Sequence, residues 1–280
     1  MKFLIGFLFL ILLTGAANAQ FYYKDIISTR QNIAKWQAYK AARVKSVRVT
    51  SFEADGQPTD GFQLDQTVNA DFSGMTTHAK TNGTTETWTF ATYSPEGLLT
   101  GITDTSDTYQ SVSVYQYDDH RRLTSVTNTS TEMDNHVKEV ETHLWQYSAA
   151  GDQPIGMLKI KDSTDTTYVR FVADDKGNIG EEHATRNGEA LPVIYYYYDD
   201  GNRLTDVVRY NAKAQRLLPD NIFEYGGDGR MTSLLAVQEG AASYQKWIYG
   251  YNDKGLRTKE SCFSKERELL GHIEYQYSYK

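Results

Sequence analysis

The sequence predicts an all-β protein made of consecutive antiparallel β-hairpin repeats that form one curling sheet, preceded by a short amino-terminal helix. Beyond Ser46, runs of five to eight residues alternate Thr, Tyr and Val with polar residues, which is the pattern of half-buried strands. Clusters of Asp, Asn and Gly separate these runs and indicate tight turns. The chain also contains 21 Tyr against 11 Phe in 280 residues. This excess of tyrosine requires a structural cause.

The charge balance and the single cysteine narrow the classes of function. Asp and Glu number 36 against 29 Lys and Arg, so the formal net charge is −7. Nucleic-acid binding depends on clustered Lys and Arg, and the sequence has no such cluster, so we expect no nucleic-acid partner. Cys262 is the one cysteine, which excludes an intrachain disulfide framework and a four-cysteine metal site. We expect it to be a free, half-buried thiol.

The first nineteen residues have the layout of a secretory signal peptide. Lys2 precedes an apolar run over residues 3–13, and the Ala-Asn-Ala triplet at residues 17–19 supplies a cleavage site. Eleven residues rise about 16 Å as a helix, against roughly 30 Å for a bilayer core. No cysteine follows the run, so a lipid anchor is not encoded. We expect cleavage before Gln20 and export to the periplasm, cell surface or extracellular space, with no transmembrane segment.

Residues 20–45 are predicted to form a helical cap, and residues 46–280 the repeat domain. The apolar residues of the first region fall roughly on one side of a helix: Ile26, Ile27, Ile33, Ala34, Tyr39 and Ala41. Good helix formers fill its second half, and neither Gly nor Pro interrupts it. Because terminal repeats of an array need a polar cover, we expect this helix to cap the first hairpin.

The strands beyond Ser46 repeat with a nearly constant period. The segment from Tyr117 reads Y-D-D-H-R-R-L-T, that from Tyr198 reads Y-D-D-G-N-R-L-T, and that from Tyr225 reads Y-G-G-D-G-R-M-T. Related segments start at Tyr93 and Tyr251, with weaker copies at Phe52, Tyr147 and Ala173. From residue 117 to residue 277, these anchor residues are separated by 30, 26, 25, 27, 26 and 26 residues. A period near 26 indicates a repeat architecture.

Each part of the repeat has a physical role. The Asp or Asn and the Gly after the anchor favour the tight turn that closes a hairpin. An aromatic residue also lies two positions before most anchors: Tyr115, Trp145, Phe171, Tyr196, Phe223, Tyr249 and Tyr275. Because residues two apart on a strand share a face, anchors and pre-anchor aromatics should form a ladder that buries one face of the sheet.

These segments resemble the YD-repeat, or RHS-repeat, family, whose consensus is close to Y-D-x-x-G-R-L-T. The likeness extends from Phe52 to Lys280 and is best in the segments from Tyr117, Tyr198, Tyr225 and Tyr251. The resemblance implies β-hairpins wound into a continuous, curling antiparallel sheet, here in a short, signal-peptide-bearing bacterial member without a toxin domain. Large members enclose a carboxy-terminal toxin or form adhesive shells. The Asp-Pro pair of the motif that ends those shells is absent from this sequence.

Side chains able to carry chemistry are better explained as structural. Asp pairs recur in equivalent turns, where repeated carboxylates suit Ca²⁺ binding or a glycosidase, but no calcium-loop pattern occurs and no single pair stands out. Asp is also a common turn former. His136 and His143 flank two glutamates without the spacing of a metal motif. No hydrolase elbow, Walker loop or dinucleotide fingerprint occurs. We therefore expect no catalytic residues, metal site or cofactor.

Three aromatic residues fall outside the ladder and are the candidates for a binding surface. Tyr195 and Tyr197 alternate with the ladder residues Tyr196 and Tyr198, so they should point away from the core. Trp88 is also out of the ladder register. If the outer face is open to solvent, these three side chains form a contact surface. If both faces are covered, they belong to the core.

The sequence thus favours an exported, non-enzymatic β-repeat protein with a structural or binding role at the cell envelope or outside the cell. One alternative is a glycan-binding or carbohydrate-active protein that uses the repeated Asp and aromatic positions. Another is a small relative of the toxin-enclosing RHS shells. The partner, a glycan or a protein, is not encoded in any motif.

Overall fold

Within residues 21–81, 85–149, 151–237 and 243–280, which a computed structural model describes, one α-helix is followed by nineteen β-strands. Helix α1 spans Lys24–Ala41. The predicted signal peptide, residues 1–19, lies outside the described residues. The first ten strands are β1 (Val44–Glu53), β2 (Gln63–Val68), β3 (Gly74–Thr81), β4 (Thr85–Tyr93), β5 (Leu99–Thr105), β6 (Tyr109–Tyr117), β7 (Leu123–Glu132), β8 (Lys138–Tyr147), β9 (Pro154–Lys161) and β10 (Asp165–Ala173). The others are β11 (Ile179–Arg186), β12 (Glu189–Ala190), β13 (Ile194–Tyr198), β14 (Leu204–Asn211), β15 (Arg216–Tyr225), β16 (Met231–Val237), β17 (Tyr244–Tyr251), β18 (Arg257–Phe263) and β19 (Leu269–Tyr279).

The strands form one antiparallel sheet that closes on itself. Among the described strands, eighteen form a ring in which each strand pairs with its neighbours in chain order. The two-residue β12 is not part of this ring, because it pairs with β11 alone and β11 pairs directly with β13. β1 completes the ring by pairing with both β2 and β19. The prediction of an all-β fold of antiparallel hairpins with one short helix is confirmed. The prediction of an open, curling sheet is wrong, because the sheet closes into an 18-strand barrel.

Closure has a physical reason in the two ends of the sheet. An open sheet would leave a row of unpaired backbone groups on β1 and another on β19. Strand twist accumulates along a sheet until its ends meet, and here the two strands pair from Val44↔Tyr279 to Glu53↔Gly271. Lys280 continues this contact beyond the end of β19. Its backbone amide donates to the Arg43 carbonyl at 2.8 Å, and its ammonium donates to the Ala70 carbonyl at 3.1 Å.

The predicted aromatic ladder lines the inside of the barrel. Trp145, Phe171, Tyr196 and Phe223 are buried. Four anchor tyrosines pack against the same core (Tyr117, Tyr147, Tyr198 and Tyr225), and Tyr93 and Tyr277 pack against a second core around Trp36. Cys262 is free, as predicted, and fully rather than half buried. The predicted ladder is therefore confirmed as core.

Anchor hydroxyls explain why the repeat uses Tyr rather than Phe. Five of the anchor tyrosines donate to the backbone carbonyl of the residue that follows the preceding anchor by six positions. The pairs are Tyr117 to Leu99 (2.8 Å), Tyr147 to Leu123 (3.0 Å), Tyr225 to Leu204 (2.8 Å), Tyr251 to Met231 (2.8 Å) and Tyr277 to Arg257 (2.6 Å). A phenol can bury its ring and still satisfy a carbonyl at the end of the neighbouring hairpin. The tyrosine excess is thus a consequence of the hairpin repeat.

Helix α1 crosses the interior of the ring near one end. This end carries the turns that follow the anchor residues, and we call it the turn end. Tyr23 packs on Phe171 and Tyr196 of β10 and β13, while Tyr39 contacts Tyr277 of β19 and hydrogen-bonds Gln66 of β2. These strands lie on opposite sides of the ring. The contacts of the helix therefore reach far beyond the first hairpin, which it was predicted to cap.

Candidate functional site

The repeated turn aspartates act as acceptors within their own turns. Asp199 Oδ1 accepts hydrogen bonds from the backbone amides of Gly201 and Arg203, both at 2.9 Å. The hydrogen bond from the Arg203 side chain and those from these amides lower the pKa of Asp199. Asp118 and Asp174 have the same pattern in their turns. These carboxylates accept hydrogen bonds within their own turns, which supports a structural role for them rather than a catalytic one.

In the Asp199 and Asp118 turns, an arginine also contacts the next hairpin. Arg203 donates to Asp199 at 2.7 Å, its guanidinium carbon lies 4.9 Å from the centre of the Tyr225 ring, and it reaches the Gly226 carbonyl at 3.3 Å. Arg122 makes the equivalent contacts with Asp118, the Tyr147 ring and the Ser148 carbonyl. Arg230 contacts the Tyr251 ring and the Asn252 carbonyl in the same way, but it pairs with Asp228 of its own turn. In the turns after Tyr117 and Tyr198, the Y-D-x-x-x-R spacing therefore provides an arginine that joins its own turn to the neighbouring one.

The histidines flanking Glu139 and Glu141 do not come together. His136 lies in the β7–β8 turn with a φ of 57°, whereas His143 lies inside the barrel. Its Nδ1 is 2.5 Å from Asp25 of α1 and its Nε2 is 3.0 Å from Glu141. Burial lowers the pKa of His143, but the two carboxylates outweigh burial and raise it to about 9. Both ring nitrogens are occupied, and the described part of the chain contains no group of three or more His, Cys, Asp or Glu side chains suited to a metal ion.

Glu182 is a buried carboxylate that sequence reasoning missed. It is 1% exposed and accepts the backbone amides of Tyr22 and Tyr23 at 3.0 Å each, together with the Tyr196 hydroxyl at 2.7 Å. Burial, the largest influence, raises the pKa of Glu182. Its position two residues before the buried Ala184 on β11 was the available signal, because it places a carboxylate on the inward face. Glu182 holds the start of α1 inside the barrel.

Trp88 lies on the outer face, within a group that we call the outer aromatic patch and define as His78, Trp88 and Phe90. Trp88 and Phe90 are 40% and 42% exposed, respectively. The His78 ring stacks on Trp88 at 4.2 Å between centroids, and the Phe90 ring is nearly parallel to Trp88 at 6.5 Å. β3 and β4 hold this arrangement because His78 and Trp88 are cross-strand partners. His78 and Phe90 were not identified from the sequence.

Ion pairs surround the patch. Glu86 accepts from Lys80 at 2.7 Å and lies 3.4 Å from His78 Nε2. On the next two strands, Arg48 pairs with Asp65 at 2.9 Å. The patch is thus an apolar contact area with a charged rim, the usual composition of a protein-binding surface.

Tyr195 and Tyr197 lie on the other side of the barrel. Both alternate with the inward-facing Tyr196, as the sequence predicted, and Tyr197 is 48% exposed. However, β13 is eight strands from β4 by the shorter way round the ring. The structure does not bring these tyrosines together with Trp88, so the three residues do not form one surface.

Comparison with known proteins identifies the repeat. The profile of the RHS repeat family matches residues 93–133, which cover β5, β6, β7 and their turns. The chain contains an RHS repeat. The resemblance drawn from the Y-D-x-x-G-R-L-T segments is thereby confirmed over residues 93–133. No curated protein matches the sequence.

Solved structures give distant similarities to this RHS-repeat chain. One is the crystal structure of TcdB2-TccC3-Cdc42, at 14% identity and a TM-score of 0.35, covering 77% of this chain and 12% of that one. Another is a porin-like protein from Bacteroides uniformis, at 10% identity and a TM-score of 0.40, covering 84% and 98%. A third is the Photorhabdus luminescens Tc holotoxin pore, at 10% identity and a TM-score of 0.21, covering 78% and 16%. With TM-scores below 0.5, these similarities do not bear on the function of this chain.

The one helix in the described residues is not apolar enough to cross a membrane.

Proposed function

We propose that this chain is an exported, non-enzymatic β-repeat protein that binds a protein partner through the outer aromatic patch. The observation that carries the proposal is the exposed, parallel arrangement of Trp88 and Phe90 on a closed barrel. Aromatic side chains held rigidly in place contribute contact area at low entropic cost. The RHS repeat supports the structural part of this role, and the signal-peptide pattern of residues 1–19 supports export.

A protein partner fits the patch better than a glycan. Sugar recognition by stacking needs a free aromatic face, whereas His78 covers one face of Trp88 and Phe90 flanks it. A partner can therefore contact the edges of the rings in the outer aromatic patch and the ion pairs around them. Such a surface suits the apolar and charged groups of a protein.

The non-enzymatic part of the proposal is supported by the hydrogen bonding of the turn aspartates. Asp118, Asp174 and Asp199 are engaged by their own turns, and the second acid of each pair, Asp119, Asp175 or Asp200, is exposed. Glycoside hydrolysis needs two carboxylates facing each other across a cleft. The alternative of a small toxin-enclosing shell is weaker, because α1 and its packing partners occupy the barrel interior near the turn end.

The test uses the full chain purified after export and immobilised. It is exposed to envelope and culture-fluid proteins from the cells that produce it, beside the Trp88→Ala/Phe90→Ala double variant and a Tyr197→Ala control. We expect one partner to be retained by the wild type and the control, and retained at least about tenfold less by the double variant. Equal retention of the partner by all three proteins would exclude the outer aromatic patch as its binding site. A glycan array probed with the same proteins distinguishes the glycan alternative, which requires array binding that the double variant loses.

A further inference from the structure

A groove forms where β11 changes its pairing partner. β11 pairs with β12 at Thr185↔Ala190. It pairs with β13 at Glu182↔Ile194. Between these two pairs, two residues of β11 face three residues of the opposing chain, 191–193. The extra residue is a β-bulge, which bends the strand and interrupts the ladder, and the central residue of the three is a proline without a backbone donor. The bulge leaves a groove with a volume of about 370 Å³ beside β10 and β11.

The groove lies on the outer surface of the barrel. Its side chains on β10 and β11 alternate with buried residues that face the core. They form two cross-strand pairs, Tyr168 with Thr185 and Arg170 with His183, and such partners lie about 5 Å apart. Val193 of the bulge forms an apolar wall. One aromatic ring, one cation and two neutral polar groups therefore share a small area.

Tyr168 offers a free aromatic face in the groove. It is 66% exposed, the largest fraction among the exposed large hydrophobic residues of the described chain, and it stacks on no other described ring. In this it differs from Trp88, one face of which His78 covers. The face of an aromatic ring is negatively polarised and attracts C–H groups. Tyr168 is therefore suited to stacking against the C–H face of a sugar ring.

Arg170 supplies donors for an acidic group beside this ring. Its guanidinium forms no ion pair or hydrogen bond with any residue that the structure describes. Its partner on β9 is Gly156, which has no side chain to cover the guanidinium from that direction. The planar fork of a guanidinium matches the two oxygens of a carboxylate. The arrangement therefore leaves Arg170 open to a carboxylate that approaches over β9 and β10.

His183 and Thr185 supply the groups that sugar hydroxyls need. His183 Nε2 lies 2.6 Å from Glu181. Because a carboxylate only accepts hydrogen bonds, Nε2 carries the hydrogen, and Nδ1 of the neutral imidazole is an acceptor. The Thr185 hydroxyl can both donate and accept. The ion pair with Glu181 thus orients the imidazole without occupying Nδ1.

These groups together define the class of ligand. A volume of about 370 Å³ is near the lower end for small-molecule sites, so the groove suits a single ring with its substituents. We propose that this groove binds a sugar acid, a hexuronate, with its ring on Tyr168, its carboxylate on Arg170 and its hydroxyls toward His183 and Thr185. The proposal is independent of the outer aromatic patch, which lies on β3 and β4.

The experiment uses two matched pairs of sugars, the methyl glycosides of glucuronate and galacturonate and those of glucose and galactose. Each acid differs from its neutral counterpart only at the carboxylate. Titrations of the full chain at pH 7 are followed by ligand-observed NMR. We expect at least one acid to bind about tenfold or more tightly than its neutral counterpart. Arg170→Gln should abolish this preference, and Arg170→Lys should keep part of it. The control Arg216→Gln changes an exposed arginine on β15 and should keep the full preference.

Stacking is tested by variants of the groove tyrosine. Tyr168→Ala should weaken binding of the preferred acid by about fivefold or more, whereas Tyr168→Phe keeps the ring and should stay within about twofold. Tyr210→Ala removes another exposed tyrosine, and both it and Trp88→Ala/Phe90→Ala should bind like the wild type. Thermal unfolding verifies that each variant is folded. The proposal is overturned if neither acid binds better than its neutral counterpart, if folded Arg170→Gln keeps the wild-type preference, or if folded Tyr168→Ala binds like the wild type.

Discussion

The hydroxyl of Tyr225 donates a 2.8 Å hydrogen bond to the backbone carbonyl of Leu204 in the preceding hairpin. Tyr225→Phe should remove this bond and leave the carbonyl without its partner, while keeping the ring in the core. We expect the free energy of unfolding to fall by about 1–2 kcal/mol. Urea denaturation followed by tryptophan fluorescence measures the change.

Tyr198 supplies the matched control. It occupies the equivalent anchor position, but its buried hydroxyl has no hydrogen-bond partner. Burial raises the pKa of Tyr198, and the nearby Tyr23 hydroxyl acts in the same direction. Tyr198→Phe should therefore leave stability unchanged or raise it by up to about 1 kcal/mol. Equal losses at both positions would mean that the anchor hydroxyls do not act through these carbonyls.

Arg203 joins two turns, so its removal should cost more than removal of an ordinary surface arginine. Arg203→Ala loses the ion pair with Asp199, the stacking on Tyr225 and the bond to the Gly226 carbonyl. We expect a loss of about 1–2 kcal/mol in the free energy of unfolding, against about 0.5 kcal/mol or less for Arg216→Ala, which is exposed. Arg203→Lys should recover less than half of the loss, since it lacks the planar fork. Equal losses in the free energy of unfolding for Arg203→Ala and Arg216→Ala would contradict the conclusion that Arg203 joins two turns.

The repeat was predictable because its determinants are local. The Asp and Gly of each turn and the two-residue alternation before Tyr117 or Tyr198 act within one hairpin. Closure was not predictable in this way, since β1 and β19 pair residues such as Ser46 and Ser278 that are 232 positions apart. Glu182 was missed for a similar reason. Its role depends on backbone amides of Tyr22 and Tyr23, which reach it only because the helix crosses the ring.

The candidate surface was predictable in part. Alternation correctly set Trp88 and Tyr197 apart from the ladder, because the side of a strand follows from residue parity. Whether two outward residues meet depends on the number of strands between them and on closure. His78 carried no sequence signal, since its stacking on Trp88 requires the β3–β4 register.

His143 predicts that stability falls on the alkaline side. Its pKa is raised from an ordinary 6.5 to about 9 by Asp25 and Glu141, against the effect of burial. The folded state therefore holds this proton more tightly than the unfolded state. The stabilisation is complete below about pH 6.5 and is lost as pH rises through about 9. We expect a loss on the order of 2–3 kcal/mol across this range.

Urea denaturation at several pH values from 6 to 9.5 measures this effect. His143→Gln should be less stable than the wild type at pH 6 and should show a flatter profile. His120→Gln changes an exposed turn histidine and should retain the wild-type profile. A stability difference between the wild type and His143→Gln that stays the same from pH 6 to pH 9.5 would refute the ion pair between the helix and β8.

Ring closure can be tested by a disulfide between β1 and β19. The hydroxyl oxygens of Ser46 and Ser278 lie 2.6 Å apart on the outside of the barrel, so cysteines at these positions should be within bonding reach. Oxidation of the Ser46→Cys/Ser278→Cys variant should give an intramolecular cross-link, detected by mass spectrometry of its peptides. Because the bond constrains a loop of more than 200 residues, it should also stabilise the fold by several kcal/mol, about 5 at most.

The buried Cys262 should not compete for the cross-link. The control is Ser278→Cys with Ser148→Cys, which places the second thiol in the exposed β8–β9 turn; an open sheet would give no more cross-link for the first pair than for this one.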